Sequence, residues 1–337
     1  MRYRNVRRLV VGLIALLAPS CGAGGGSAHP GRSASVAAVI KGLDNPFFVT
    51  MRNGLEAGAR HHSVEITVQA AAGLQDTAGQ ASALESLTSQ QAGCYVVNPI
   101  NQTNLIQPLG QIPDGVPIVN IDSPVSRQAA RAVGVGITTY IGTNNGAAGR
   151  LAAAAMARLV PRGSRVAVIT GIPGDASSGA RTQGFMAAAA GRFHVVQMIA
   201  ADFDRRRAEL ATAALLRSRP SVRGVFAVND EMALGSAAAV GADRRRGKVA
   251  VIGVDGDAAA LAAVKRGAMS ATVAQYPYTI GQFAVEACLA AIHHKPIPGK
   301  IDAPIQIVTP GNVSRAQRNA PRPPEQFKDP LVRLLRG

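Results

Sequence analysis

At 337 residues the chain has room for two domains of ordinary size, each with its own core. Apolar residues make up 47 % and charged residues 17 %, which excludes a disordered chain, and with 4 % aromatics and no Trp any aromatic platform must come from a few Phe or Tyr. The formal net charge of +16 raises a nucleic-acid role, but the basic clusters at the N-terminus, at 205–207, at 244–246 and in the C-terminal tail have no interleaved aromatics, and they read as solvated surface or contact with an anionic membrane.

The chain opens with Arg2, Arg4, Arg7 and Arg8, then an apolar run over 9–18, then Pro19-Ser20-Cys21. A basic region before a short apolar run is an export signal, too short to span a membrane as a mature helix. A small residue followed by Cys resembles a bacterial lipobox, with Cys21 as the lipidated residue and the membrane anchor. Simple cleavage and free secretion is the alternative, because Pro19 departs from the usual pattern. Residues 22–34, rich in Gly, Ser and Ala, form a flexible tether.

From residue 35 onward, short β-branched runs alternate with longer Ala- and Leu-rich segments. Strands are expected at 36–40, 65–69, 94–97, 118–121, 140–142, 166–170, 194–199, 224–228, 249–254 and 270–274. Helices are expected at 46–61, 77–89, 145–159, 178–190, 208–217 and 232–240. Most strands are continuous apolar runs, as in parallel sheets covered on both faces. The fold class is therefore α/β, with two doubly wound lobes. Cys94 begins an apolar strand and Cys288 lies on an apolar helix; buried free thiols are expected, and a disulfide between them is the alternative outside the cytoplasm. The tail after 313 is Pro- and Arg-rich, and both disorder and a short docked helix over 330–335 are open.

In doubly wound sheets, ligands sit beyond the carboxyl ends of the strands. The residues there are polar and planar: Lys41 and Asn45, Asn98, Asp122 and Ser123, Asn229, Asp255 and Gln275, with Arg181 just inside a helix. Asp, Asn, Gln and Arg make paired hydrogen bonds to groups spaced like vicinal hydroxyls. Phe47, Phe48 and Phe203 follow strand ends on both sides of the chain's midpoint and offer faces for the C–H side of a ring. Any one Asn or Asp after a strand is more simply a helix cap or turn residue. Their coincidence with the Phe residues points to a polyol site.

Gly171–Gly179 lacks the Gly-Lys-Ser/Thr end of a phosphate loop and reads as a strand-to-helix turn. His61-His62 and His293-His294 read as surface caps, so no metal and no cofactor are expected. No catalytic set is recognisable, and an enzyme is not expected.

Several strings carry a family resemblance: Lys41-Gly-Leu-Asp-Asn-Pro-Phe-Phe48, Val97-Asn-Pro99, Ala201-Asp-Phe-Asp204, Phe226-Ala-Val-Asn-Asp-Glu-Met-Ala-Leu-Gly235, Gly253-Val-Asp-Gly256 and Ala271-Thr-Val-Ala-Gln275. From about residue 36 to 308 the chain resembles the ribose- and allose-type periplasmic sugar-binding proteins. The resemblance implies two lobes joined by three crossings, near 136–140, 275–277 and 303. It places residues 35–138 with 276–303 in the first lobe and 139–275 with 304–312 in the second. It implies that Phe47, Phe48 and Phe203 sandwich a sugar whose hydroxyls meet Asn45, Asn98, Asp122, Arg181, Asn229, Asp255 and Gln275. It further implies an ABC transporter permease as partner, a sugar or polyol as ligand, and a monomer. Ribose binders carry Arg after the Asp that matches Asp122, where this chain has Ser123, and a small hydroxyl residue where this chain has Lys41. Allose-type relatives carry Lys there, so an allose-like hexose or another polyol stands beside ribose as the ligand. The repressors that share the fold need a DNA-binding headpiece where this chain has its export signal. A sensory protein presenting sugar to a membrane receptor or kinase is the alternative function.

Overall fold

Two six-stranded sheets organise the protein, and they share one strand order. A computed structural model describes residues 35–323 and 329–335, all within a compact unit spanning Arg32–Gly337. The expected export signal, Cys21 and the tether lie outside the described residues.

The first sheet contains β1 (Ser35–Ile40), β2 (Glu65–Ala70), β3 (Cys94–Val97), β4 (Ile118–Ile121), β5 (Thr139–Thr143) and β11 (Lys300–Ala303), in the order β11-β5-β4-β3-β1-β2. The second contains β6 (Arg165–Thr170), β7 (His194–Ala200), β8 (Val222–Ala227), β9 (Ala250–Asp255), β10 (Ala271–Ala274) and β12 (Gln306–Val308), in the order β12-β10-β9-β8-β6-β7. All pairs are parallel except β10 with β12. Parallel neighbours need crossovers, and helices supply them. They are α1 (Pro46–His61), α2 (Thr77–Thr88), α3 (Ile106–Leu109) and α4 (Arg127–Ala132) in the first half. In the second they are α5 (Asn145–Leu159), α6 (Ala176–Ala189), α7 (Arg205–Ser218), α8 (Asp230–Ala242) and α9 (Ala258–Lys265).

The central strands β1, β3, β4, β6, β8 and β9 are buried along almost their whole length, because helices cover both faces of each sheet. In the first lobe this creates two cores, one around Ile40, Met51 and Phe283 and one around Val39, Leu84 and Leu109. The second lobe builds its core around Phe185, Phe226 and Ile252, with Phe185 and Phe226 stacked at 4.3 Å.

The chain passes between lobes three times. The first crossing falls between β5 and α5, because β5 pairs with β4 and β11. That corrects the expectation of a crossing near 136–140 and of residues 139–143 in the second lobe. Those residues stay in the first sheet because β5 supplies the ladder that the later β11 needs. The second crossing lies between β10 and α10 (Pro277–Ile292), and the third between β11 and β12. Helix α10 returns to the first lobe and packs on α1 at very short range: a Cβ on Gly54 would stand 2.1 Å from the Tyr278 carbonyl oxygen.

Cys94 on β3 and Cys288 on α10 form a disulfide across 194 residues. This corrects the reading of two free thiols. The sheet brings together positions whose separation in sequence says nothing about their distance. The tail also docks. Helix α11 (Val313–Asn319) packs on α9, α12 (Val332–Leu335) packs on α10, and Leu331 is fully buried in the first lobe's core.

Candidate functional site

The strand order of each lobe has its switch point beside the first strand, between β1 and β3 and between β6 and β8, and the loops beyond those carboxyl ends face one another. They enclose a narrow cavity lined by polar and aromatic side chains of both lobes. Lys41, Asn45, Phe47, Phe48 and Asp122 line it from the first lobe, and Arg181, Phe203, Asn229 and Asp255 from the second. Lys41, Asp122, Arg181 and Asp255 are each at most 7 % exposed, so the lobes are closed over these groups.

Asn45 and Asn229 are both helix caps and cavity residues. Each uses its side-chain oxygen on a backbone N–H, Asn45 Oδ1 accepting from Phe47 at 2.9 Å and Asn229 Oδ1 from Met232 at 3.0 Å. Capping satisfies helix-start donors and fixes each side chain, leaving its Nδ2 as the donor for another partner. The cap and the ligand-binding readings of these residues are therefore compatible.

Arg181 is the organising cation of the second lobe. Its Nε donates to Asn145 Oδ1 at 2.7 Å, and one terminal nitrogen donates to the Val228 carbonyl at 2.8 Å and reaches Asp255 Oδ1 at 3.5 Å. Gln275 Nε2 donates to the same Asp255 oxygen at 2.6 Å. Burial pushes the Asp255 carboxyl up from its ordinary range, and the Arg181 guanidinium opposes that shift. Asp122 is likewise raised by burial and drawn back by Lys41 first and Arg181 second. Lys41 thus supplies positive charge in the sequence context where Ser123 stands in place of Arg. It also lies 5.6 Å above the Phe48 ring and 3.9 Å from Asp175 of the opposite lobe.

Three of the loops carry backbone that side chains rarely adopt. Asp122 has φ 56°, Asp202 and Phe203 have 56° and 62°, and Asp255 has 142°. Such strain persists where surrounding contacts hold it. The Tyr140 hydroxyl donates to the Asp122 carbonyl at 2.6 Å. Buried Asp230 accepts from the N–H groups of Gly256 and Asp257 and from the Thr272 hydroxyl. Under the Phe203 ring lies Gly171, where a Cβ would come within 2.3 Å of the ring carbon Cζ; only a glycine lets the ring lie there.

Nine of the twelve expected residues line the cavity. Asn98, Ser123 and Gln275 do not. Gln275 acts on Asp255, the Ser123 hydroxyl reaches Asp122 Oδ2 at 3.4 Å, and Asn98 Nδ2 lies against Met51 Sδ. Asn98 Oδ1 and Gln275 Oε1 are buried without a protein partner. The structure adds Leu74, Ile100, Ile172, Asp175 and Ser177. Asp175 and Ser177 fall in the segment read as a plain strand-to-helix turn. The rule of looking beyond each strand end, applied to the end of β6, points at them. Asp175 Oδ1 caps α6 at 2.7 Å from Ser178 N, while Oδ2 faces Lys41.

Two hinged lobes closing on a cavity of planar polar groups and three Phe rings define a solute-binding protein. The chain belongs to the periplasmic binding protein family: residues 36–296 match the model of the periplasmic binding protein domain. The ribose import binding protein RbsB of Bacillus subtilis strain 168 is 33 % identical over 273 residues, covering 80 % of this chain and 85 % of that one. The D-allose-binding periplasmic protein of Escherichia coli K12 is 32 % identical, covering 74 % and 81 %. A crystal structure of an ABC transporter periplasmic solute-binding protein from Actinobacillus succinogenes 130z, with bound D-allose, superposes with a TM-score of 0.78 at 28 % identity, covering 83 % of this chain and 99 % of that one. The protein is thus of the ribose/allose type, an exported binding protein of the cell envelope and not an enzyme.

Proposed function

We propose that this protein captures a neutral monosaccharide or polyol between its lobes and delivers it, as the solute-binding component, to an ABC sugar importer. The observation that carries this reading is the closed cavity itself. Phe47 and Phe48 from one lobe and Phe203 from the other supply apolar faces, while Asn45, Asp122, Arg181, Asn229 and Asp255 supply donors and acceptors between them. A sugar ring presents that combination of C–H faces and equatorial hydroxyls.

The mechanism follows from the three crossings. A ligand that touches both lobes stabilises the closed form by its differential affinity for closed over open. The planar groups are fixed in advance by caps and by the Arg181 network, so ordering them costs little on binding. Lys41 in the cavity and Ser123 behind it make an allose-like hexose as suitable as ribose, in keeping with the D-allose bound to one structural relative. Our reading also includes lipid anchoring at Cys21 and a monomeric state.

Calorimetry and thermal melting of residues 32–337 across pentoses, hexoses, pentitols and inositols test the proposal. The expected result is saturable binding of one or a few of them. Ligand at ~100 times Kd should then add about 2.7 kcal/mol of stability. No response to any neutral polyol would overturn it.

A further inference from the structure

We propose that the pole of the second lobe opposite the cleft is a docking surface for an anionic phospholipid bilayer. In a parallel sheet the strand N-termini and the helix C-termini meet at one end. In the second lobe that end comprises the turns at 158–165, 190–194, 217–223, 243–250 and 265–271. These turns hold thirteen Arg and Lys against one carboxylate, Asp243, a formal +12 of the whole chain's +16. All of the thirteen except Arg245 are exposed. Among the described residues, Arg245 is the member with a carboxylate within 4 Å, Asp243 at 3.8 Å. Arg165 and Arg219 bond to the neutral Ser221 and Gln197.

A cation in the last turn of a helix complements its dipole, but that cause acts equally on both lobes. In the first lobe the corresponding turns at 60–65, 88–94, 109–118, 131–139 and 292–300 carry four cations against two acids. The excess is therefore specific to one pole, and folded protein must bear its self-repulsion. A surface of phosphate groups is the partner that relieves it.

Two features favour a bilayer over a soluble polyanion. Leu159 stands 48 % exposed among the arginines. Beside it a groove with Arg162 and Arg192 on its rim has the buried Val160 and Phe193 in its wall. Cations beside exposed apolar surface suit headgroup phosphates above acyl chain. The pole lies at the strand N-termini and the cleft at their carboxyl ends, so docking leaves the cleft open to sugar.

Residues 32–337, which include every sheet and core described above, are mixed with vesicles of phosphatidylcholine alone or with about 30 % phosphatidylglycerol, at roughly 50 mM and roughly 0.5 M salt. Cosedimentation with the anionic vesicles alone, lost at high salt, is expected. Arg162→Glu with Arg192→Glu, and Arg244→Glu with Arg246→Glu, should each weaken it about tenfold or more. Arg131→Glu with Lys295→Glu, the same charge change on the first lobe, should change it less than about twofold, and all variants should keep their sugar affinity. Leu159→Gln should weaken vesicle binding without altering retention on soluble polyphosphate. Absence of binding at low salt, equal binding to phosphatidylcholine, or an equal loss in the first-lobe variant would each overturn the proposal. So would preference for polyphosphate over vesicles at equal phosphate with Leu159→Gln indifferent.

Discussion

Asp255 shows how one buried carboxylate is kept usable. It is 5 % exposed, and its φ of 142° is held by neighbours: Asp230 gathers the N–H groups of the next two residues, and Gln275 and Arg181 approach its Oδ1. A buried ion pair contributes little net stability while intact, but losing one partner costs about 3–5 kcal/mol. Arg181→Ala should therefore cut sugar affinity at least ~100-fold and lower the melting temperature, because Asp255 loses its cation and Asn145 its donor. Arg181→Lys restores a charge but not the planar fork, so it should recover stability more than affinity. Calorimetry and thermal melts of both variants check this, and wild-type affinity in Arg181→Ala would remove Arg181 from the site. At this scale the sequence was informative. Polar residues after strand ends were legible, and Asp175 was legible in principle. What it did not show was that Asn45 and Asn229 would cap and line at once, or that Gln275 would act through Asp255.

Among the elements, α10 joins parts of the first lobe that are far apart in the chain. It packs tightly on α1 and is tied to β3 by Cys94–Cys288. A crosslink across a long loop restricts the unfolded chain, an effect of about 2–4 kcal/mol. Replacing both cysteines by Ala should lower the stability of the first lobe by that amount and leave the second lobe unchanged. Urea titrations with and without reductant should show one transition moving, and coincident movement of the whole curve would mean that the lobes unfold together. The helices with strong patterns, such as 46–61 and 145–159, were readable to the residue. The strands β11 and β12 were not: the equally short β3 is an unbroken apolar run and β4 nearly one, whereas β11 is interrupted by Lys300 and Asp302 and β12 opens on Gln306.

On the scale of the molecule, the tail holds α11 on the second lobe and α12 on the first. Its docking places Asp329 next to Glu286, whose carboxyl is pushed up to about 8 by burial and then by Asp329. His62, 3.6 Å from Glu286, is lowered by burial and by His61. An acid with a raised folded pKa binds more protons folded than unfolded, so stability falls as pH rises from its unfolded to its folded value. Above pH ~7.5 His62 is largely neutral in both states, but buried Asp255, whose carboxyl is also raised, titrates over the same range, so the part due to Glu286 is read from a variant. Raising the pH from ~7.5 to ~9 should lower the melting temperature and expose the tail to protease, and Glu286→Gln should abolish the protease response and lessen the melting response. A protease response that survives in Glu286→Gln would assign the release of the tail to another group.

The alternation of strands and helices, the α/β class, the residues beyond the strand ends and the likeness to sugar-binding proteins are all legible along the chain. Those are local properties: apolar runs, caps, turns and short strings read without knowing what lies opposite. Whatever depends on distance across the fold comes from tertiary packing. Packing moved the first crossing beyond β5, joined Cys94 to Cys288, set Lys41 against Asp175 and seated α11 on the second lobe and α12 on the first. It also gathered thirteen cations from five separate turns onto one pole. Sheet topology brings such residues together, and their spacing along the chain carries no trace of it.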